Sequence, residues 1–288
     1  MEATNKQTLK QKLKSYSKSP LSLVLFLLVS LSTLITVSVI IFLLAYILIK
    51  GIPHITPELF AWEYNSENVS LMPALVNTIL MTLVSLVIAA PLGIFSAIYL
   101  VEYAKRGNKV VEVIRITAET LSGIPSIVYG LFGYLLFVIA CGWSYSILGG
   151  AVTLAIMILP LIMRTTEEAL KSVPDSFREG SFGLGAGKLR TIFRIVLPSA
   201  VPGILSGVIL AVGRIVGETA ALMYTAGTVA GVPENLMGSG RTLSVHMYVL
   251  SSEALYMNQS YATAVVLLVV VLAINGISGL IAKKVSKA

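Results

Sequence analysis

Charge is what this sequence has least of. Only 12% of its 288 residues are Asp, Glu, Lys or Arg, where a soluble domain carries about a quarter. There is one cysteine, Cys141, so no intrachain disulfide can form. The two histidines, His54 and His246, stand far apart with no carboxylate or thiolate cluster beside them. A structural zinc site needs four closely spaced ligands, so no metal site is expected, and both histidines read as satisfied or solvent-facing side chains. An intramembrane enzyme needs paired acids, a histidine cluster or an activated serine within its spans. Only one acid, Glu218, lies deep in an apolar run.

What fills the sequence is hydrocarbon: 56% of the residues are hydrophobic and the mean hydropathy is +0.88. The chain therefore reads as an all-α integral membrane protein. Six apolar segments, about 21–49, 73–100, 117–140, 147–163, 199–225 and 261–282, approach the ~20 residues needed to cross ~30 Å of hydrocarbon at ~1.5 Å per residue. The first follows a basic stretch, is too long for a signal h-region and ends in YILIKG without a small-x-small cleavage site, so it reads as an anchor. Pro125, in SGIPS, is expected to break or kink the third span, in a place where irregular backbone lines a pathway.

The net charge of +7 points to nucleic acid only until the basic residues are mapped. With the N-terminus in the cytoplasm and the spans alternating, eighteen of the 21 Lys and Arg fall in the inside segments 1–20, 102–116, 164–198 and 283–288. Lys50 and Arg241 lie outside and Arg214 lies within a span. The bias orients the chain with both termini cytoplasmic. The expected organisation is a basic N-terminus (1–20), a first span with its external loop (21–72), and a core holding the remaining spans (73–285). No external loop is large enough to fold as an enzyme domain.

The informative inside segment is 164–198, RTTEEALKSVPDSFREGSFGLGAGKLRTIFRIVLPS. Pro174-Asp175 starts a helix, with the aspartate placed to cap free amides. Gly183, Gly185 and Gly187 break it, and a second short helix is expected to lie along the same membrane face. GLGAGKL is not a phosphate-binding P-loop: Phe182 stands where that pattern needs glycine and Leu189 where it needs Ser or Thr. Energy must then come from a partner.

The fifth span contains AVGRIVGETA, residues 211–220. In one continuous helix Arg214 and Glu218 leave the same face, a turn apart. Arginine at a bilayer centre costs about 2.5–3.5 kcal/mol on insertion scales, and such charges face a bundle interior or an aqueous path. A planar guanidinium suits tetrahedral oxyanions, phosphate above all. Glu218 is expected to keep the anion from being held too tightly, and to accept a hydrogen bond from a protonated phosphate that sulfate lacks. The competing reading is a pair that locks two helices together. Two small-xxx-small patterns, Gly203/Gly207 and Gly213/Gly217, already supply close packing. Arg164, at the mouth of the fourth span, is a second candidate on the path or a snorkelling interfacial arginine. Arg115 and Glu119, four apart, read as a local pair.

The spacing from Glu179-Gly180-Ser181 through Gly185 to Ile195-x-Leu197-Pro198 resembles the EAA loop of bacterial ABC importer membrane subunits, with Gly180 and Ser181 replacing two alanines. That likeness implies a type I importer-like fold with six spans and a cytoplasmic coupling helix. It also implies coupling to an ATPase through Glu179, Gly185, Ala186 and Pro198. LPSAVPGILSGVILAVGRIVGETAALMYTAG (197–227) resembles the PstA permease subunits of phosphate importers, as do TAETLSGIPSIVYGLFG (117–133), RTTEEALKSVP (164–174) and LSVHMY (243–248). The resemblance implies a multi-pass, non-enzymatic subunit of the bacterial cytoplasmic membrane. Its implied partners are a PstC-type permease, two PstB-type ATPases and an external phosphate-binding protein. No cofactor is expected in this chain, since ATP and Mg would be held by the ATPases. The alternatives are a permease for molybdate, sulfate or phosphonate, and the sister PstC-type subunit. An ATP-independent channel is the third class, and the 164–198 loop argues against it.

Overall fold

The computed structural model describes residues 20–105 and 107–285. The basic N-terminal segment, Arg106 and the last three residues, which carry part of the expected charge bias, lie outside the described residues. Every regular element among the described residues is helical. Five helices are long and apolar enough to cross a membrane, and a sixth span results when one bent pair is taken together.

Helix α1, Pro20–Gly51, is apolar on all sides and its side chains are exposed nearly throughout, as expected of a helix with lipid for solvent. It forms a compact unit up to Lys50; residues from Gly51 onward form another.

In the second unit, α2 (Met72–Ile98) continues through a π-helical turn, Tyr99–Tyr103. Helix α3 (Lys109–Ser122) and helix α4 (Ser126–Gly133, extended by π-helical turns to Ala140) are bent by 101° at Gly123–Pro125. Pro125 has no amide to continue the helix and pushes Ile124 out of the α region. The expected break is there, and the apolar run read as 117–140 is two helices at an angle.

Helix α5 (Ile147–Lys171) is the centre of the unit. Its buried residues Leu154, Met157 and Ile158 share one core with Met81, Ile215 and Leu222. It runs eight residues past the expected end of the fourth span, so Arg164 stands within a continuous helix. Polar side chains in this apolar setting bond backward along their own helices, Thr78 to Ala74 and Thr153 to Gly149, although the buried Thr166 hydroxyl has no partner among the described residues. Ser85 also donates across to the Ala151 carbonyl at 3.1 Å, tying α2 to α5.

Helix α6 (Asp175–Gly183) ends at a turn in which Gly185 has φ +80°, a left-handed conformation suited to glycine. Helix α7 (Lys188–Thr191) passes through a π-helical turn into α8 (Leu197–Val216) as one 29-residue rod. The second short helix expected along the membrane face is therefore the foot of a span. Asp175 does not cap α6, since no side-chain cap bond forms there; its carboxylate accepts from Arg178 at 3.3 Å. Helix α9 (Ala220–Thr225), α10 (Leu243–Ser252) and α11 (Met257–Val285) complete the chain.

The loops sort into two ends. Leu59, Leu71 and Leu243 cluster at one; Leu100, Leu170, Val173 and Ile192 cluster at the other.

Candidate functional site: an arginine at a helix break

The fifth apolar run is not one helix. Helix α8 stops at Val216, Gly217 closes its last turn, and α9 starts at Ala220. Arg214 sits in the last turn of α8, half-buried, while Glu218 lies beyond the helix end and is 8% exposed. The expectation that both leave one helical face is thus corrected. Gly217 and Thr219 intervene, and the Glu218 carboxylate turns forward to accept the Ala221 amide at 3.1 Å. It caps α9, taking one of the amides a helix start leaves unbonded. The Glu218 carbonyl in turn accepts the Ser244 hydroxyl, and the Leu243 amide donates to the Thr78 hydroxyl at 2.8 Å. The break is therefore held from α2 and α10 as well.

Arg214 forms no ion pair among the described residues. Its position in the last turn of α8 puts it against the negative end of the helix dipole, worth about 0.3–1 kcal/mol. That offsets only part of the roughly 3 kcal/mol an arginine costs at membrane depth. The cation is left with unused capacity for a counter-charge.

Arg164 is placed differently. It faces Glu119 at 3.6 Å and Glu168 at 3.5 Å, all three exposed. Two carboxylates within reach make it a poor anion station, and it joins a charged seam between α3 and α5. In the same seam Arg115 pairs with the buried Glu167 at 2.7 Å, and Lys171 reaches the same oxygen at 2.6 Å. The local Arg115–Glu119 pair does not form: each reaches across to α5, because rigid helix faces in contact bring opposite charges closer than flexible neighbours on one exposed face.

Of the two small-residue patterns, one packs. A Cβ on Gly203 would press into Ala169, and one on Gly207 into Thr165, so α8 lies against α5 there. Gly213 has open space beside it and Gly217 meets only its own helix; that second pattern marks the helix end instead.

In the 164–198 segment, Gly185 and Ala186 line an open groove of about 530 Å³ with Ser176, Phe177, Arg190 and Arg194. Glu179 is exposed on α6 nearby, whereas Pro198 lies outside the groove, in the first turn of α8. Phe177 and Phe182 are about half exposed and Leu184 is 92% exposed. Large exposed apolar patches in general occur where proteins meet other molecules. Sequence reasoning missed what holds α6. Arg178 bonds Glu102 at 2.8 Å, the Leu170 carbonyl at 2.9 Å and the Val173 carbonyl at 2.8 Å. A partner 76 residues away leaves no local signal.

At the opposite end His246 is fully buried, which excludes the solvent-facing one of its two expected states. Burial first, then the Arg241 charge, push its pKa down to about 3, with the Val69 backbone opposing. Arg241 itself is buried and lies 4.7 Å above the Tyr64 ring, which meets His246 edge-on.

Membrane-length helices, two apolar runs broken in mid-course, an arginine with no ion pair among the described residues at one of the breaks, and exposed apolar side chains at one end suit a multi-pass transport permease. The chain belongs to the family of binding-protein-dependent transport system inner membrane components, whose model matches residues 89–287. It is 34% identical over 236 residues to the "Probable ABC transporter permease protein YqgI" of Bacillus subtilis (strain 168), covering 77% of this chain and 80% of that one. It is 42% identical over 154 residues to the "Phosphate transport system permease protein PstA 1" of Mycobacterium tuberculosis (strain CDC 1551 / Oshkosh). That match covers 54% of this chain and spans half the length of the relative. A solved bacterial ABC transporter involved in the import of alginate shares the fold at 16% identity, with TM-score 0.67 over 90% of this chain and 96% of that one.

Proposed function

We propose that this chain is the PstA-type permease subunit of an ATP-driven importer, passing inorganic phosphate across the bacterial cytoplasmic membrane. Arg214 is the cation the anion meets. The observation that carries this reading is the unpaired guanidinium in the last turn of a membrane-length helix, with the nearby carboxylate turned away to cap α9. An uncompensated cation at that depth is tolerated where a counter-ion passes. The guanidinium fork matches phosphate oxygens, and a passing ion must also leave. Glu218 acts by fixing the break and by keeping a negative charge near it rather than by pairing. Arg164, already faced by two acids, has the lesser part at the mouth of the path. The named PstA relative supports the choice of phosphate.

In this reading the 164–198 end is cytoplasmic. Glu179, Gly185 and Ala186 receive a PstB-type ATPase, and Pro198 begins the span that its motion tilts. A PstC-type subunit completes the path, two PstB-type ATPases hold ATP and Mg, and an external phosphate-binding protein delivers the anion. Reconstitution of the complex in vesicles with ATP inside tests the cargo: labelled phosphate should accumulate, and unlabelled sulfate or molybdate in excess should leave uptake unchanged. Competition by either at phosphate-like concentrations would move the assignment to another oxyanion.

A further inference from the structure

The two helix breaks meet. Tyr129, on α4 just past the first break, is buried and donates its hydroxyl to the Leu121 carbonyl at 2.8 Å. Leu121 is in the last turn of α3, and its carbonyl also accepts the Ile124 amide at 3.1 Å, so the phenol and the backbone of the bend share one acceptor. The phenol therefore clamps the 101° bend from inside. The next residue, Gly130, lies directly on α9: a Cβ there would sit 2.8 Å from the Ala221 Cα. Ala221 is the residue whose amide Glu218 caps. Tyr129 shares the central core with Ile215, the residue after Arg214, and with Leu222, on either side of the second break.

We propose that Tyr129 is a positioning residue for Arg214: by bridging the α3–α4 bend and seating α4 on α9, it sets where the guanidinium stands when an anion reaches it. The proposal rests on the transport reading. A hydroxyl that only stabilised the bend would affect how much protein folds, and would leave the anion's apparent affinity alone. A hydroxyl that places Arg214 changes how well the anion is held.

The test uses the complete reconstituted importer and measures uptake against phosphate concentration for Tyr129→Phe, Arg214→Gln and the double variant. Tyr129→Phe should raise the half-saturating concentration about five-fold, the size of one lost hydrogen bond, with the maximal rate much less affected. Adding it to Arg214→Gln should change nothing further, because the group it positions is gone. Gly130→Ala, which wedges the two breaks apart without touching the hydroxyl, should raise the half-saturating concentration as well. An unchanged half-saturation in Tyr129→Phe, or a full independent effect in the double variant, overturns the proposal. If wild type carries sulfate or molybdate instead of phosphate, the cargo assignment fails. The same comparison on the carried anion then decides the role of Tyr129. If wild type carries none of the three, both fall.

Discussion

The Glu218 carboxylate accepts the Ala221 amide at 3.1 Å, so the only acid in the fifth apolar run is committed to starting a helix. This arrangement makes a helix-starting carboxylate and a helix-ending guanidinium neighbours in sequence without making them partners. Replacing Glu218 with Gln keeps an acceptor at the cap, whereas Ala removes it. Loss of a cap costs about 1 kcal/mol, so Glu218→Ala should lower the apparent melting temperature of the purified chain and Glu218→Gln should sit close to wild type. Equal destabilisation by both would show that the charge, and not the cap, holds the break.

Arg178 carries the junction between α6 and the ends of α2 and α5. It is 14% exposed and its partner Glu102 is 9% exposed. Removing one member of a buried pair strands the other, at a cost of about 3 kcal/mol. Arg178→Ala should open the 172–187 segment to limited proteolysis. Arg178→Lys should protect it only partly, because an ammonium cannot span two carbonyls and a carboxylate as the fork does. Wild-type resistance in Arg178→Ala would refute the anchoring role.

The seam between α3 and α5 makes a claim about partners. A double-mutant cycle in thermal stability should find Arg115 coupled to Glu167, by about 1 kcal/mol given the half-exposed arginine. The cycle for Arg115 and Glu119 should return nothing beyond error. The reverse pattern would restore the local pair.

His246 gives the fold a pH dependence with a definite sign. Its pKa falls from an ordinary 6.5 to about 3 on folding, so between those values the unfolded chain binds the extra proton. The stabilisation is complete above pH 6.5 and is lost as pH falls toward 3. At pH 5 the loss is about 2 kcal/mol. Thermal scans should show melting falling between pH 7 and pH 5, with a shallower slope in His246→Asn. Tyr64 and Arg241 face the ring, so Arg241→Gln should raise the pH at which the loss levels off while leaving the slope between pH 7 and pH 5 close to wild type. An unchanged slope in His246→Asn would assign the dependence to other groups.

Much of this fold is legible in the sequence because lipid imposes a length. Each membrane-length helix answers to an apolar run, and the third span breaks where Pro125 forbids a continuous ladder. The second break was not legible: Gly217 and Thr219 are tolerated in helices, and nothing local says that Glu218 will cap forward rather than pair backward. Arg214 could be singled out by the cost of its charge alone. Tyr129 could not, since a tyrosine in an apolar run carries no sign of the carbonyl it will bridge. The pairs Arg178–Glu102 and Arg115–Glu167 depend on which helix faces meet, and periodicity does not report that.

The account turns on whether Arg214 meets the cargo. Phosphate uptake and phosphate-stimulated ATP hydrolysis should be compared in the reconstituted importer for wild type, Arg214→Lys and Arg214→Gln. Arg214→Gln should need far more phosphate than wild type to reach half its maximal uptake while the complex still assembles, and Arg214→Lys should fall between the two, as charge without the fork. Wild-type uptake by Arg214→Gln would contradict the account.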